Sequence, residues 1–244
     1  MRLDVCLYER GLVGSRTDAK NLILKGAVKV ADKIITKPSF DVDGDASITV
    51  DTSLKRYVSR GGLKLEGALD AFSVDVAGKC AIDIGASSGG FTDCLLKHGT
   101  ASVIALDSGS NQLVSALKAD ERVISIENFN ARYMTRADLP FVPELAVMDV
   151  SFISATLIIP AVYECLSESG EFICLVKPQF EVGKANIGKG GIVKSEKARS
   201  EALASVIQFA KKVGFIHCGT VTSPIVGGDG NVEFLIHLKK TSNP

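Results

Sequence analysis

What most restricts the fold of this chain is an alternation of patterns from residue 80 onward, in which short apolar runs take turns with stretches of helical period. The runs at 80–84, 102–106, 123–126, 145–148 and 171–176 read as strands covered on both faces, and the stretches at 90–98, 111–118, 154–165 and 196–213 read as helices. Ser195 is placed to cap the last of these helices and Gly214 to stop it. A helix over 63–72 is expected before the first strand, and two more strands near 216–222 and 232–238. Strands joined by helices lie mainly parallel, so the expectation is an α/β fold with helices on both faces of one sheet. Ligands of such sheets bind beyond the carboxyl ends of the strands.

The first fifty residues follow another plan. Leu3, Val5, Leu7 and Leu12 precede Gly14, and Ser15-Arg16-Thr17-Asp18 is a capping-box pattern that opens a second helix. That helix puts Ala19, Leu22 and Ile23 on one face and ends at Gly26. Val28, Val30, Ile34 and Ile35 flank a turn at Ala31-Asp32-Lys33, and Ile48-Thr49-Val50 closes the unit as a short strand. The chain holds 28 basic and 28 acidic residues, but residues 1–40 hold eight of the former and only four of the latter. Arg2, Arg16, Lys20, Lys25 and Lys29 make this module cationic. Residues 51–62 are polar and end in two glycines. The expected organisation is therefore a small α+β domain over 1–54, a linker over 55–62 and the α/β domain over 63–244.

Chemistry concentrates after the first apolar strand. Asp83-Ile-Gly-Ala-Ser-Ser-Gly-Gly-Phe-Thr-Asp93 is a strand end, a glycine-rich turn and a helix start, an arrangement that brings a ligand against backbone amides. The candidates for that contact are Asp83, Gly85, Ala86, Ser87, Gly89, Gly90 and Phe91. The spacing is not GxGxxG, and a carboxylate at Asp83 suits an amino group better than a pyrophosphate. Asp107 ends the next strand and is placed to accept both hydroxyls of a ribose. An acidic turn together with a ribose carboxylate favours S-adenosylmethionine over a nicotinamide dinucleotide. Cys6, Cys80, Cys94, Cys165, Cys174 and Cys218 form no CxxC pair and read as buried free thiols; with three histidines there is no zinc spacing. No metal and a reducing, cytoplasmic setting are expected. Asp4 and Glu9 interrupt any signal-peptide core, and Asp149, Ser151, Ser154 and Pro160 break the longest apolar stretch.

Several motifs resemble a known family. Arg2-Leu3-Asp4, Ser15-Arg16, Ile23-Leu-Lys-Gly-Ala-Val-Lys-Val30 and Lys37-Pro38 are similar to the S-four-like RNA-binding domain. Ser59-Arg-Gly-Gly-Leu-Lys-Leu65, the glycine loop, Asp149-Val-Ser-Phe-Ile-Ser154, Val176-Lys-Pro-Gln-Phe-Glu181 and Asn231-Val-Glu-Phe-Leu235 together resemble the TlyA family, in which such a domain is joined to an FtsJ-type methyltransferase. The resemblance covers nearly the whole chain. It implies a Rossmann-like S-adenosylmethionine-dependent methyltransferase domain, 2′-O-methylation of cytidine in ribosomal RNA, and binding of structured RNA by the N-terminal module. The FtsJ-type Lys-Asp-Lys-Glu tetrad falls on Lys64, Asp149, Lys177 and Glu233. Asp149 is also expected near the cofactor, and Asn130 sits where the fold meets the adenine amino group. The short N-terminus resembles the subtype expected to modify large-subunit RNA alone. Ser88 replaces a proline of classical FtsJ loops, and Asp107-Ser-Gly-Ser departs from the usual Asp-Val-Gly.

Two other functions compete with the enzyme. A non-catalytic ribosome-assembly factor would keep the fold without turnover, but an intact tetrad and glycine loop argue against it. A membrane-active hemolysin is suggested only by the family's historical label, with no span or basic-aromatic amphipathic helix to support it. The glycine- and lysine-rich stretch 178–194 beside Lys177 is expected to be a substrate lid.

Overall fold

The computed structural model describes residues 1–24, 26–51, 56–183, 186–227 and 230–241. Lys25 of the cationic face, Lys55 of the linker and Lys184 of the expected lid lie outside the described residues. The chain divides into two compact units, 1–60 and 61–244.

In the first unit, helices α1 (Leu3–Glu9) and α2 (Arg16–Leu24) pack beside a three-stranded antiparallel sheet of order β2-β1-β3. Its strands are β1 (Val28–Val30), β2 (Lys33–Ile34) and β3 (Ile48–Val50). Leu3, Cys6 and Leu7 of α1 and Ala19, Leu22 and Ile23 of α2 are buried, the face that the apolar spacing assigned. Ser15 Oγ accepts the Asp18 amide at 3.1 Å, as its position before the helix requires. Ala31 and Asp32 both take positive φ between the paired Val30 and Lys33, the conformation of a two-residue hairpin turn.

The second unit is a seven-stranded sheet in the order β6-β5-β4-β7-β8-β10-β9. The strands β4 (Cys80–Ile84), β5 (Ser102–Leu106), β6 (Val123–Ile126), β7 (Leu145–Met148) and β8 (Glu171–Val176) are parallel. The strand β10 (Phe234–Lys240) inserts antiparallel between β8 and β9 (Phe215–Thr222). Helices α3 (Gly61–Phe72), α4 (Gly90–Lys97), α5 (Ser115–Lys118), α6 (Ile159–Cys165), α7 (Pro178–Glu181) and α8 (Glu196–Val213) complete it. Ile82, Ile84, Ile104, Leu106, Met148, Phe172, Cys174 and Val176 lie in one apolar core with Val206 of α8 and Phe215 of β9. The α/β class and the run of strands are those expected from the alternation.

Departures from expectation have local causes. Gly61 and Gly62, read as linker, form the first turn of α3. The helix expected over 111–118 shrinks to α5, because Asp107 Oδ1 takes the Gly109 amide at 2.7 Å and Glu127 takes that of Asn111, whose φ is 53°. The stretch over 154–165 divides into a 3₁₀ turn (Ala155–Leu157) and α6. The last strand starts at Phe234 because Asn231 is used elsewhere: its side chain accepts the Val193 amide and donates to Gly191 O, both at 3.0 Å. Those two bonds hold the far end, Gly191 and Val193, of the stretch expected to be a substrate lid, whose described residues contain α7 and a 3₁₀ turn (Lys189–Gly191). Cys218 is exposed on β9, the edge strand, contrary to the reading of all six cysteines as buried.

The tightest backbone approach joins the ends of β4 and β7. Gly85 has φ +82°, and a Cβ there would lie 2.5 Å from the carbonyl oxygen of Asp149. Gly85→Ala combines left-handed strain with a backbone clash, and its expected cost is roughly 2 kcal/mol or more in denaturant unfolding. A loss under about 0.5 kcal/mol would show that this approach relaxes freely.

Candidate active site

After β4, β5 and β6 the chain crosses back to lay β7 on the other side of β4. At this reversal of strand order a parallel sheet opens a crevice along its carboxyl edge. The cleft there measures about 460 Å³. Gly85, Ser87, Asp107, Asn130 and Asp149, all singled out in the sequence, line it. Asp107 is held from behind: Oδ2 accepts the Ser87 amide at 2.8 Å and Oδ1 the Gly109 amide at 2.7 Å. Its orientation is thereby set, and each carboxylate oxygen keeps acceptor capacity toward the cleft. Leu106, Phe129, Ala131 and Ile158 give the same cleft apolar walls. A slot with apolar faces and a fixed carboxylate at a strand end fits a nucleoside. Asn130 Oδ1 caps the following turn by accepting the Arg132 amide at 3.0 Å, which leaves the side-chain amide nitrogen as its remaining polar group.

The other glycine-loop candidates do not line the cleft. The Ala86 amide is used on Leu106 O, Gly89 (φ +96°) caps α4 against Leu113 and Leu117, and Gly90 and Phe91 are buried in the first turn of α4. Asp83 lies beneath the loop, fully buried. The glycines serve tight packing of helix on strand as much as access to a ligand.

Lys64, Asp149, Lys177 and Glu233 converge from four elements: α3, the end of β7, the end of β8, and the segment before β10. Lys64 Nζ stands 2.6 Å from Glu233 Oε2 and 3.9 Å from Asp149 Oδ2. Lys177 Nζ stands 2.6 Å from Asp149 Oδ1 and donates to Ser151 Oγ at 2.8 Å. Lys64, Lys177 and Glu233 are buried, while Asp149 reaches the cleft. Asp149 Oδ1 is charge-paired with Lys177 but has no aligned hydrogen bond among the described residues. The cluster therefore has two cations, two anions and one acceptor oxygen still open. Ion pairs hidden from water are expensive to assemble, and hydrophobic replacement would serve stability as well. The cluster stands at the edge of the cleft, where Asp149 lines it.

Residues 57–240 match the model of the FtsJ-like methyltransferase family, and residues 1–48 that of the S4 domain. The chain belongs to the TlyA branch of the FtsJ-like methyltransferase family. The 16S/23S rRNA (cytidine-2'-O)-methyltransferase TlyA of Mycobacterium tuberculosis is 41% identical over 98% of this chain and 89% of its own. Hemolysin A of Brachyspira hyodysenteriae is 42% identical over 98% of this chain and 99% of its own. A solved structure from Streptococcus thermophilus that bears a hemolysin label covers 100% of this chain and 90% of its own, with 44% identity and a TM-score of 0.80. Among the described residues, no helix is long and apolar enough to cross a membrane.

In the S4 unit, Arg2, Arg16, Lys20 and Lys29 are exposed. What the sequence left unread is Asp4. Fully buried in α1, it pairs with Arg2 Nε at 2.9 Å and with Arg16 at 3.6 Å, so one hidden carboxylate orients two of the basic side chains. The hydrogen bond from Arg2 holds the Asp4 carboxyl below the usual carboxylate range.

In the FtsJ-like unit, Gln112, Phe129, Ser151 and Phe152 line the cleft without having been singled out. Ser151 and Phe152 belong to the motif that follows β7, where polar and aromatic residues directly after a parallel strand were the available signal. Phe152 is 92% exposed and holds φ +65°. An aromatic side chain kept in water by a strained backbone offers a stacking surface.

Asp83 is the most perturbed carboxyl near the cleft. Burial pushes it up to about 7, and the charges of Asp149 and Asp107 push the same way, against a hydrogen bond from Thr92 Oγ1 at 2.6 Å. Because this value is raised above that of the unfolded chain, Asp83 favours folding most at low pH. Its contribution falls as pH rises from about 4 to about 7 and is level beyond. Asp83→Asn should remove that part of the stability loss, amounting to a few kcal/mol, while leaving stability near pH 4 little changed. Denaturant midpoints of both proteins across this range decide it; parallel profiles would contradict the burial assignment.

Proposed function

We propose that this protein transfers a methyl group from S-adenosylmethionine to the ribose 2′-hydroxyl of a cytidine in ribosomal RNA. The observation that carries the reading is the Lys64–Glu233, Asp149–Lys177 cluster at the edge of a nucleoside-shaped cleft. The rRNA (cytidine-2'-O)-methyltransferase activity by which the 41% identical Mycobacterium tuberculosis relative is named, and the S4 domain ahead of the cleft-bearing unit, support it. Six free cysteines fit a reducing, cytoplasmic setting where ribosomes are found.

The cofactor supplies a methyl group already activated by positive charge on sulfur. Asp107 would hold the ribose hydroxyls of that cofactor, the walls from Leu106, Phe129 and Ile158 its adenine, and Asn130 the edge of the base. With the methyl activated in advance, the chain has two tasks: to align the incoming oxygen and to take its proton. Lys177 is the group that meets the 2′-hydroxyl. The proton passes into the Lys177–Asp149 pair, where Asp149 Oδ1 has acceptor capacity left. Lys64, itself paired with Glu233, stands on the other side of Asp149, and the two carboxylates offset the positive charge that the cluster gains with the proton. Phe152 offers its ring to a base turned out of the RNA. The exposed Arg2, Arg16, Lys20 and Lys29 supply phosphate contacts that carry no sequence information.

Transfer of tritiated methyl groups to separated, unmodified small and large ribosomal subunits tests this reading and shows which subunit is the substrate. Lys177→Ala should lower the rate by about 100-fold or more while binding the cofactor normally. Asp107→Ala should weaken cofactor binding about tenfold or more. Wild-type protein that binds subunits and transfers nothing would make this an assembly factor. Replacing Arg16 and Lys20 together should flatten the salt dependence of RNA binding, with the log–log slope smaller by about 1 to 2; an unchanged slope would leave these side chains as solvated surface.

A further inference from the structure

The segment 177–181 touches the loop 149–155 three times. At one end Lys177 holds Asp149 and Ser151. In the middle the Phe180 and Phe152 rings lie 5.3 Å apart. At the other end Glu181 accepts two hydrogen bonds, from Ser154 Oγ at 2.6 Å and from the Ala155 amide at 2.7 Å. The first contact belongs to the proposed chemistry; the last is unexplained by it. Ser154 already caps its own turn by accepting the Thr156 amide at 3.2 Å, so Glu181 is not needed to end or begin that turn. Glu181 is half-buried and has no cationic partner among the described residues. Placing a carboxylate there costs solvation, which two short, directed bonds across two segments offset. Between the two ends of this clasp lies Phe152, in a left-handed conformation that a residue with a β-carbon keeps only when its surroundings over-determine it.

We propose that Glu181 is a positioning residue: through Ser154 and Ala155 it fixes the loop that presents Ser151 to Lys177 and the Phe152 ring to the RNA, touching neither substrate itself. This rests on the methyltransferase reading above. Glu181 acts on the geometry of the acceptor, so its loss should lower turnover far more than it loosens the cofactor, whose proposed contacts at Asp107, Leu106, Phe129 and Asn130 lie outside the loop 149–155.

The test uses the full chain and the ribosomal subunit that the wild-type protein methylates. Glu181→Gln should lower kcat about tenfold, with S-adenosylmethionine Kd within about twofold and the melting temperature little changed. Ser154→Ala should cause a smaller loss, and the double variant should be no slower than Glu181→Gln alone, because both changes break one link. The chain has no tryptophan, so Phe152→Trp installs a single fluorophore in the loop. Adding Glu181→Gln to it should lower the tryptophan anisotropy. A kcat within twofold of wild type, additive losses in the double variant, unchanged anisotropy, or a kcat loss matched by equal losses in cofactor binding and melting temperature would each overturn the proposal. Should Glu181→Gln fail to fold, Ser154→Ala in the Phe152→Trp background carries the same test. A wild-type protein that transfers no methyl group sinks the functional reading first, and the anisotropy then decides whether Glu181 holds the loop.

Discussion

Lys64 and Glu233 are 169 residues apart in the chain and 2.6 Å apart in space. This pair draws the first helix of the FtsJ-like unit against the approach to its last strand. Neither member could stay buried alone, since an uncompensated charge in that position costs several kcal/mol. The pair therefore demands that α3 and β10 be placed together, and the sheet order provides it. Asp149 and Lys177 then enter from β7 and β8, neighbours in the sheet, and complete a cluster that no single segment could present. Gly85 belongs to the same constraint: without a side chain there, the end of β4 can lie against the Asp149 carbonyl and bring the cleft up to the charges.

Much of this was readable in the residues. Strands buried on both faces announce themselves as apolar runs, most plainly β7 with all four residues buried, while β6 at the sheet edge is only partly covered and β4 carries Asp83 within its run. The tetrad positions came from resemblance rather than spacing, because residues that meet through four elements leave no periodic signature. What the sequence obscured are places where side chains capture backbone. Residues 108–114 keep helical spacing, yet Asp107 and Glu127 take the amides that a helix would use. The stretch 178–194 looks loose in composition, but Asn231, nearly forty residues on, bonds to Gly191 and Val193 at its far end. Asp83 reads as a ligand contact at a strand end and is instead a buried acid under the glycine turn. The Glu127 and Asn231 bonds reach 16 to 40 residues along the chain, where local pattern carries no trace of them, and the Asp107 bond to Gly109 is a local side-chain capture that apolar spacing does not record.

The two units use buried carboxylates in contrasting ways. In the S4 unit Asp4 is surrounded by arginines and held ionised, so that it orders cations which remain largely in water. In the FtsJ-like unit Asp83 and Glu181 have neutral partners and are pushed toward protonation by burial. The first arrangement orients cations at a surface; the second fixes loops around a cleft.

The place of β10 in the sheet has a consequence for biosynthesis. It is the last of the strands to be made, yet it lies inside the sheet, between β8 and β9. Until it arrives, β8 has an open edge, β9 has nowhere to pair, and the two lysines face each other's neighbourhood without Glu233. A nascent chain can complete the first unit and the parallel core as they emerge, but the charge cluster closes only afterwards. The cluster is thus completed in one late step rather than built up by degrees, and a chain that has already made most of its sheet still lacks the joint arrangement of Lys64, Asp149, Lys177 and Glu233.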